Sequence, residues 1–281
     1  MPNLLTLIRR IMGPSPRDGQ ASLDALSRLL AAVPADMMDI LNRIAANDPT
    51  VPEVMRYRLA EALCAAVYPK FKFSEFGRLF LEDTDVRDIY VRGMDPGNWH
   101  SLDRKYTLYQ LARLTAPLTG DIAECGVFKG VSALLMCRAL QGTGAVAHLF
   151  DSFEGLSDPG PQDGSHWSRG DRNASEQEVI DMLSGIAGYR LYRGWIPDRF
   201  AEIGHLTFRL VHIDVDLYQP TLDSIAFFYE RITPGGFLLL DDYGFTSCPG
   251  AKQAADEFFA DKPERIAMLS TGQALAIKSR S

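Results

Sequence analysis

Leu210-Val211-His212-Ile213-Asp214-Val215-Asp216 and Phe237-Leu238-Leu239-Leu240-Asp241-Asp242 decide how this chain is read. Each is a short apolar run that closes on a pair of acids. A run of this length predicts a buried strand that meets water only at its last residues. If the two strands are parallel neighbours, four carboxylates converge at the carboxyl edge of one sheet, where open α/β folds bind ligands. Like charges so close need a cation or a proton among them. Hard oxygen donors around a small site suit Mg²⁺ or a similar divalent ion. Helix caps and surface acids would explain one such pair, and less well two pairs at successive strand ends.

Outward from these runs, strands and helices alternate from about residue 120. Segments 121–125, 145–150, 189–192, 207–213 and 237–240 read as strands. Segments 132–140, 176–186, 221–232 and 251–259 read as helices, with a helical turn at 197–203 and a tight turn at 233–236. This alternation predicts an α/β fold, a doubly wound and mostly parallel sheet with helices on both faces. Two last strands, 265–269 and 274–278, flank Ser270-Thr271-Gly272, and so short a connection implies an antiparallel final strand. Seven strands result. Residues 155–174 carry Gly, Pro, Asp, Ser and Asn without an apolar period, with His166 and Trp167 in the middle. A loop this long in a compact domain reads as a lid over the carboxyl edge, or as a plain surface loop.

Residues 1–100 read differently. Leu23, Leu26, Leu29, Leu30 and Val33 fall at helical spacing, and Met37, Ile40, Leu41 and Ile44 continue it after Pro34. A third helix after Val51-Pro52-Glu53 carries Met55, Leu59, Leu63 and Ala66. The expected organisation is a helical N-terminal region, 1–100, serving as a cap or an oligomerisation element of a homo-oligomer, and a ligand-binding domain, 101–281. The formal net charge of −7, with no Lys/Arg block, disfavours a nucleic-acid partner. Cys64, Cys125, Cys137 and Cys248 are scattered and read as reduced thiols. No apolar stretch reaches the length of a membrane span, and Arg9-Arg10 follow the apolar residues of the N-terminus, the reverse of a signal peptide. A soluble, cytoplasmic protein is expected.

The first strand leads into Glu124-Cys125-Gly126-Val127-Phe128-Lys129-Gly130. Small residues there let the backbone approach a ligand, and the next helix offers free N–H groups. Neither the dinucleotide fingerprint nor a P-loop is present. Glu124 would repel a diphosphate and suits a ligand that is cationic at that point, such as an aminoacyl group or a sulfonium. Asp151, at the end of the second strand, can accept both ribose hydroxyls of a nucleoside.

Four stretches together resemble the macrocin O-methyltransferase family: Gly120 through Gly130, Phe150-Asp151-Ser152-Phe153-Glu154-Gly155-Leu156, His212 through Tyr218, and Gly235 through Gly244. The resemblance covers about residues 100–279. It implies a class I S-adenosylmethionine-dependent enzyme with a Rossmann-like sheet that methylates sugar hydroxyls of natural products with Mg²⁺. By position it implies that Glu124, Gly126, Gly130 and Ser132 hold the methionine part of the cofactor, and Asp151, with Ser152 next to it, the ribose. Gly194-Trp195 would border the adenine. Asp214 would stand at both the cofactor and the ion, and Asp214, Asp241 and Asp242 would bind the metal.

More distant catechol enzymes of this arrangement have a lysine base three positions after the first metal Asp, and Leu217 stands there in this chain. Asp216 is the nearest substitute, so the catalytic assignment is Asp216 as base beside Asp214. His166 in the long loop is either a base or a bystander, and His212 reads as a satisfied core histidine. The competing readings are a metal-dependent enzyme for a phenol or catechol, and a methyltransferase-like subunit that only binds a partner.

Overall fold

The computed structural model describes residues 35–45, 48, 50–67, 79–94 and 100–279. The chain divides into two compact units, residues 1–79 and 80–281. The first holds helices α1 (Ala35–Ala45) and α2 (Glu53–Val67). Leu41 is buried on α1, and Ile40 and Ile44 are half-buried, as the apolar spacing predicts. The expected helix carrying Leu23 to Val33 lies outside the described residues, as do the side chains of Met37, Leu63 and Ala66. No helix among the described residues is long and apolar enough to cross a membrane.

The second unit opens with α3 (Thr84–Gly93) and α4 (Leu102–Leu114). Asp83 caps α3 by accepting from the Val86 N–H, and Ser101 caps α4 by accepting from the Arg104 N–H. Strand and helix then alternate: β1 (Asp121–Cys125), α5 (Val131–Ala139), β2 (Ala147–Asp151), α6 (Glu176–Met182), β3 (Tyr189–Arg193), β4 (Phe208–Ile213), α7 (Tyr218–Tyr229), β5 (Ile232–Leu240), α8 (Pro249–Phe259), β6 (Ala267–Met268) and β7 (Ala274–Ile277). The sheet order is β3-β2-β1-β4-β5-β7-β6. β1 to β5 run parallel, and β7 is antiparallel to both β5 and β6. This is the doubly wound, mostly parallel seven-stranded sheet expected from the alternation.

Several boundaries depart from expectation: the helix from Glu176 stops at Met182 rather than 186, β2 covers Ala147–Asp151 and β6 only Ala267–Met268, and two further departures have a clear cause. Thr233-Pro234-Gly235-Gly236, expected as a turn ahead of the strand, lies inside β5. Phe208 pairs with Ile232 and Leu210 with Phe237, so the extra residues form a bulge on an otherwise continuous ladder. Helix α7 begins at Tyr218 rather than near 221, since Pro220 falls in the first turn, where its missing N–H does no harm.

The chain reverses order between β1 and β4, and their carboxyl ends lie side by side with Cys125 opposite Ile213 and Ile213 opposite Leu240. All six residues of β4 are buried. Val211 and Ile213 pack into a cluster with Phe150, Phe200 and Phe228, while Leu210 joins Ile122, Leu134 and Leu149 on the other face. Buried on both sides, β4 holds the acids that follow it in a fixed place.

Candidate active site

Gly126 follows β1 with φ +85, and a Cβ there would collide with the Asp214 carbonyl, so only glycine fits where the turn crosses the end of β4. The Gly126 N–H donates to Phe150 O at 2.9 Å, and the Asp214 N–H to Cys125 O at 2.8 Å. These bonds carry the ladder past the strand ends and set the turn against Asp151 and Asp214. Around them opens a cavity of about 390 Å³. Gly126, Gly130, Ser132, Asp151, Ser152, Gly194, Trp195, Asp214, Asp216 and Asp242 all line it, so most of the residues singled out by sequence meet in one place.

Asp151 is held by the turn it serves. One carboxylate oxygen accepts from the Val127 and Phe128 N–H groups at 2.8 and 2.9 Å, and the other from the Phe153 N–H at 2.8 Å. Burial raises its pKa, against the pull of these three bonds. The Ser152 hydroxyl donates to Gly155 O and accepts from the Glu154 N–H, which fixes the chain just beyond β2.

Glu124 and Asp241 stand apart from the cavity wall. Glu124 is fully buried on β1, in register with His212 on β4, which is in register with Leu239 on β5. Side chains two apart share a face, so Glu124, His212 and Asp241 form a row across three strands. His212 Nδ1 lies 2.9 Å from Glu124 Oε1, and Nε2 lies 3.2 Å from Asp241 Oδ1. His212 is therefore a satisfied core histidine, as expected, and it links the two acids. Asp241 also accepts from Gln273 Nε2 at 2.6 Å and from the Arg104 guanidinium.

The remaining acids turn the other way. Asp242 Oδ2 accepts from the Asp216 N–H at 2.9 Å, and Asp216 sits at φ +59, an uncommon backbone for a non-glycine residue. The Cys248 thiol donates to Asp216 Oδ1, and Trp167 Nε1 donates to Cys248 Sγ, each at 3.4 Å. Donor atoms thus assort into two groups of three, each within 4.8 Å: His212, Asp214 and Asp241, and Asp216, Asp242 and Cys248.

Positive charge comes from residues that no sequence pattern marks. Arg104 and Lys105, in the first turn of α4, reach across the edge of the sheet. Arg104 Nη2 pairs with Asp241 and lies 3.7 Å from Asp242 Oδ1, and the guanidinium stacks over Phe245 at 4.5 Å. Lys105 Nζ lies 3.9 Å from Asp214 Oδ2. Burial works to raise the Asp214 carboxyl, but Lys105, His212 and Arg104 outweigh it and hold it at about 2. Asp216 is raised to about 6, first by burial and then by Asp214. Asp242 is raised well above the usual range by burial, Asp216 and Asp214. No periodicity reveals a buried cation on a helix, and only the fold brings α4 to the acids.

The long loop is neither free nor without structure. Residues 161–163 form a 3₁₀ turn, and Leu156 pairs with Asp171 and Gly170 through backbone bonds of 2.8 and 2.9 Å. Asp163 is 3% exposed and accepts from the Tyr218 N–H at 2.6 Å and the Gly160 N–H at 2.7 Å, so the loop caps α7. His166 and Trp167 line the cavity, ring against ring at 4.6 Å. Leu217, which stands where a catechol-type enzyme has its lysine, is buried and lines the cavity too.

A 3-2-1-4-5-7-6 sheet with a glycine turn after β1, an acid after β2 and acids after β4 and β5 defines a class I methyltransferase fold. A profile of the family described as Macrocin-O-methyltransferase (TylF) matches residues 112–266. The chain belongs to this family. It is 32% identical over 161 residues to demethyldecarbamoylnovobiocin O-methyltransferase of Streptomyces niveus, covering 50% of this chain and 58% of that protein. It is 29% identical over 150 residues to 8-demethyl-8-(2,3-dimethoxy-alpha-L-rhamnosyl)-tetracenomycin-C 4'-O-methyltransferase of Streptomyces olivaceus, covering 47% of this chain and 56% of that protein. The chain thus matches less than two thirds of either relative. The solved O-methyltransferase NovP superposes with a TM-score of 0.55 at 24% identity, over 65% of this chain and 84% of its own.

Proposed function

We propose that this protein is an S-adenosylmethionine-dependent O-methyltransferase that uses Mg²⁺ and acts on a sugar hydroxyl of a glycosylated natural product. The observation that carries the reading is the single cavity joining the Gly126–Ser132 turn, Asp151 and Gly194-Trp195 to Asp214, Asp216 and Asp242. The acceptor class follows the relatives, one of whose names specifies a rhamnosyl group. The segment before residue 100 would serve as a cap or a subunit contact.

The site fits both groups. A cavity of about 390 Å³ with a glycine-rich floor at one end and acids at the other has room and polarity for a nucleoside joined to an amino acid. Asp214, Asp241 and Asp242 all offer hard oxygen, with Asp214 grouped with Asp241 and Asp242 with Asp216, so a single ion would draw on both groups. When bound, the cofactor would supply an electrophilic methyl group and the ion would acidify and orient the acceptor hydroxyl. The chain's part is to align the acceptor oxygen and take its proton. Asp216 would accept that proton, a role supported by its facing the cavity and by the contacts of Cys248 to its carboxylate and of Asp242 to its own N–H. Trp167 and Leu217 give the cavity apolar walls that exclude water.

The test is transfer of labelled methyl from S-adenosylmethionine to a panel of 6-deoxyhexosides and catechols, with and without chelator. Turnover on a glycoside, lost in chelator and restored by Mg²⁺, is expected. Asp214→Asn should lose activity together with metal affinity, and Asp216→Asn should lose activity with metal affinity kept. Full turnover in chelator would remove the ion from the reading. Activity on catechols alone would replace the acceptor class.

A further inference from the structure

Helix α8 starts on a residue that does not cap it. The position before a helix favours Ser, Thr, Asp or Asn, whose side chain accepts from the first free N–H groups. Cys248 stands there, and its side chain makes no such bond. It is 2% exposed, and its N–H donates to Phe245 O at 3.0 Å, so its place is fixed. The sulfur turns to the cavity instead, donating to Asp216 Oδ1 and accepting from Trp167 Nε1. It joins the loop 155–174 to an acid beyond β4 and does nothing for its own helix.

Asp216 sits at the apex of a tight turn. The Leu217 N–H donates to Val215 O at 2.6 Å across it, and Asp216 has φ +59. A three-residue turn with positive φ at its centre is rare and strained, and such outliers cluster at functional sites. The turn sets the direction in which the side chain leaves the backbone but leaves the carboxylate free to rotate. Asp242 restrains the backbone N–H of Asp216, and the Cys248 thiol restrains the carboxylate itself.

The loop is seated on the starts of the two helices that flank this contact. Asp163 accepts from the Tyr218 N–H on α7, and its carboxylate fills the space that a Cβ at Gly250 on α8 would need. A Cβ at Gly164 would meet the Pro249 ring at 3.5 Å, and Trp167 reaches Cys248. The loop thus touches three successive residues at the start of α8 and the first residue of α7. We propose that Cys248 is a positioning residue for Asp216, and that through Trp167 it makes the direction of this carboxylate depend on the seating of the loop. This rests on Asp216 as the proton acceptor in the reading above. An acceptor that meets the indole in the cavity would then bear on Asp216 as well.

The first test needs no acceptor. The infrared S–H stretch of Cys248 in the full chain, assigned by its loss in Cys248→Ser, reports the bond that the thiol donates. It should move toward the free-thiol frequency in Asp216→Asn and shift in Trp167→Phe as well. A band unmoved in either variant overturns the assignment. The second test is labelled methyl transfer from S-adenosylmethionine to the 6-deoxyhexoside panel. Cys248→Ala should lower kcat about 10- to 100-fold, the cost of a misplaced group, with KM for S-adenosylmethionine within about twofold of wild type. Cys248→Ser, which keeps a donor of similar shape, should regain most of the rate. Trp167→Phe should lower kcat too, and the double variant should lose less than the sum of the single losses, since both act on one carboxylate. If Cys248→Ala does not fold, Trp167→Phe still reads the coupling. An unchanged kcat in Cys248→Ala, a loss in KM alone, or no recovery in Cys248→Ser overturns the proposal. A wild type inactive on every glycoside, or full turnover in Asp216→Asn, overturns the reading beneath it, while the infrared shift still decides whether the thiol holds Asp216.

Discussion

Asp151 braces a turn, and under the proposed reading the same carboxylate would also meet the cofactor. It takes three backbone N–H groups from the turn after β1 and the loop after β2, and the same group faces the cavity where a ribose would lie. Asp151→Asn keeps the shape but turns an amide N–H₂ toward backbone donors. Affinity for S-adenosylhomocysteine should fall by about 1.5–3 kcal/mol, the worth of a hydrogen bond to a charged group, as read by calorimetry on the folded variant. Unchanged affinity would leave Asp151 as a brace for the turn and nothing more. At the same scale, His212 shows the limit of reading residues one at a time. Its place inside an apolar run marks it as core, which it is. Its bridge from Glu124 to Asp241 depends on a register that needs three strands in place. Arg104 and Lys105 were silent for a similar reason, since their sequence neighbourhood is an ordinary capped helix.

Among elements, the loop 155–174 is the most informative, because composition and structure say different things about it. Its glycines, prolines and acids read as a lid or a loose surface loop. In the fold Asp163 turns inward and caps α7, and a Cβ at Gly250 on α8 would collide with its carboxylate. Asp163→Ala should leave the Tyr218 and Gly160 N–H groups unpaired, cost about 1–3 kcal/mol in urea unfolding, and expose the loop to proteolytic nicking that the wild type resists. Equal nicking of both proteins would mean the cap does not hold the loop. Strands β1, β4 and β5 were legible because a buried parallel strand is a short apolar run with polar ends. The bulge in β5 was not, since Thr233-Pro234-Gly235-Gly236 has turn composition and is kept in the sheet by the pairs flanking it, Ile232 with Phe208 and Phe237 with Leu210, and by the backbone bonds of Gly235 and Gly236 to Lys278.

The far edge of the sheet offers a pH test at the same scale. Glu264 accepts from Tyr229 Oη at 2.5 Å, and from Ser279 N–H and Oγ at 3.0 and 2.8 Å. Burial alone would raise its carboxyl, but these bonds outweigh it and hold the group at about 2, below its ordinary 4.5. A depressed carboxylate stabilises the fold above its unfolded value, and that contribution is lost as pH falls toward the folded one. Wild type should therefore exceed Glu264→Gln in stability at pH 7, with the two curves converging between about pH 4.5 and 2 in urea unfolding series. A gap that does not close as pH falls would contradict the linkage.

At the scale of the molecule, the sheet gathers acids from β1, β2, β4 and β5 at one edge and sets the first turn of α4 against them. Arg104 and Lys105 oppose that charge, and under the proposed reading a divalent ion would complete the balance. Mg²⁺ should therefore raise thermal stability by mass action, and Asp242→Asn should blunt the shift. The most direct measurement is a calorimetric titration of the full chain with S-adenosylhomocysteine, in chelator and again with Mg²⁺. Saturable binding at one site per chain in both conditions, lost in Gly126→Ala, is the predicted result. Absence of binding by the folded wild type in either condition would contradict the methyltransferase assignment at its root.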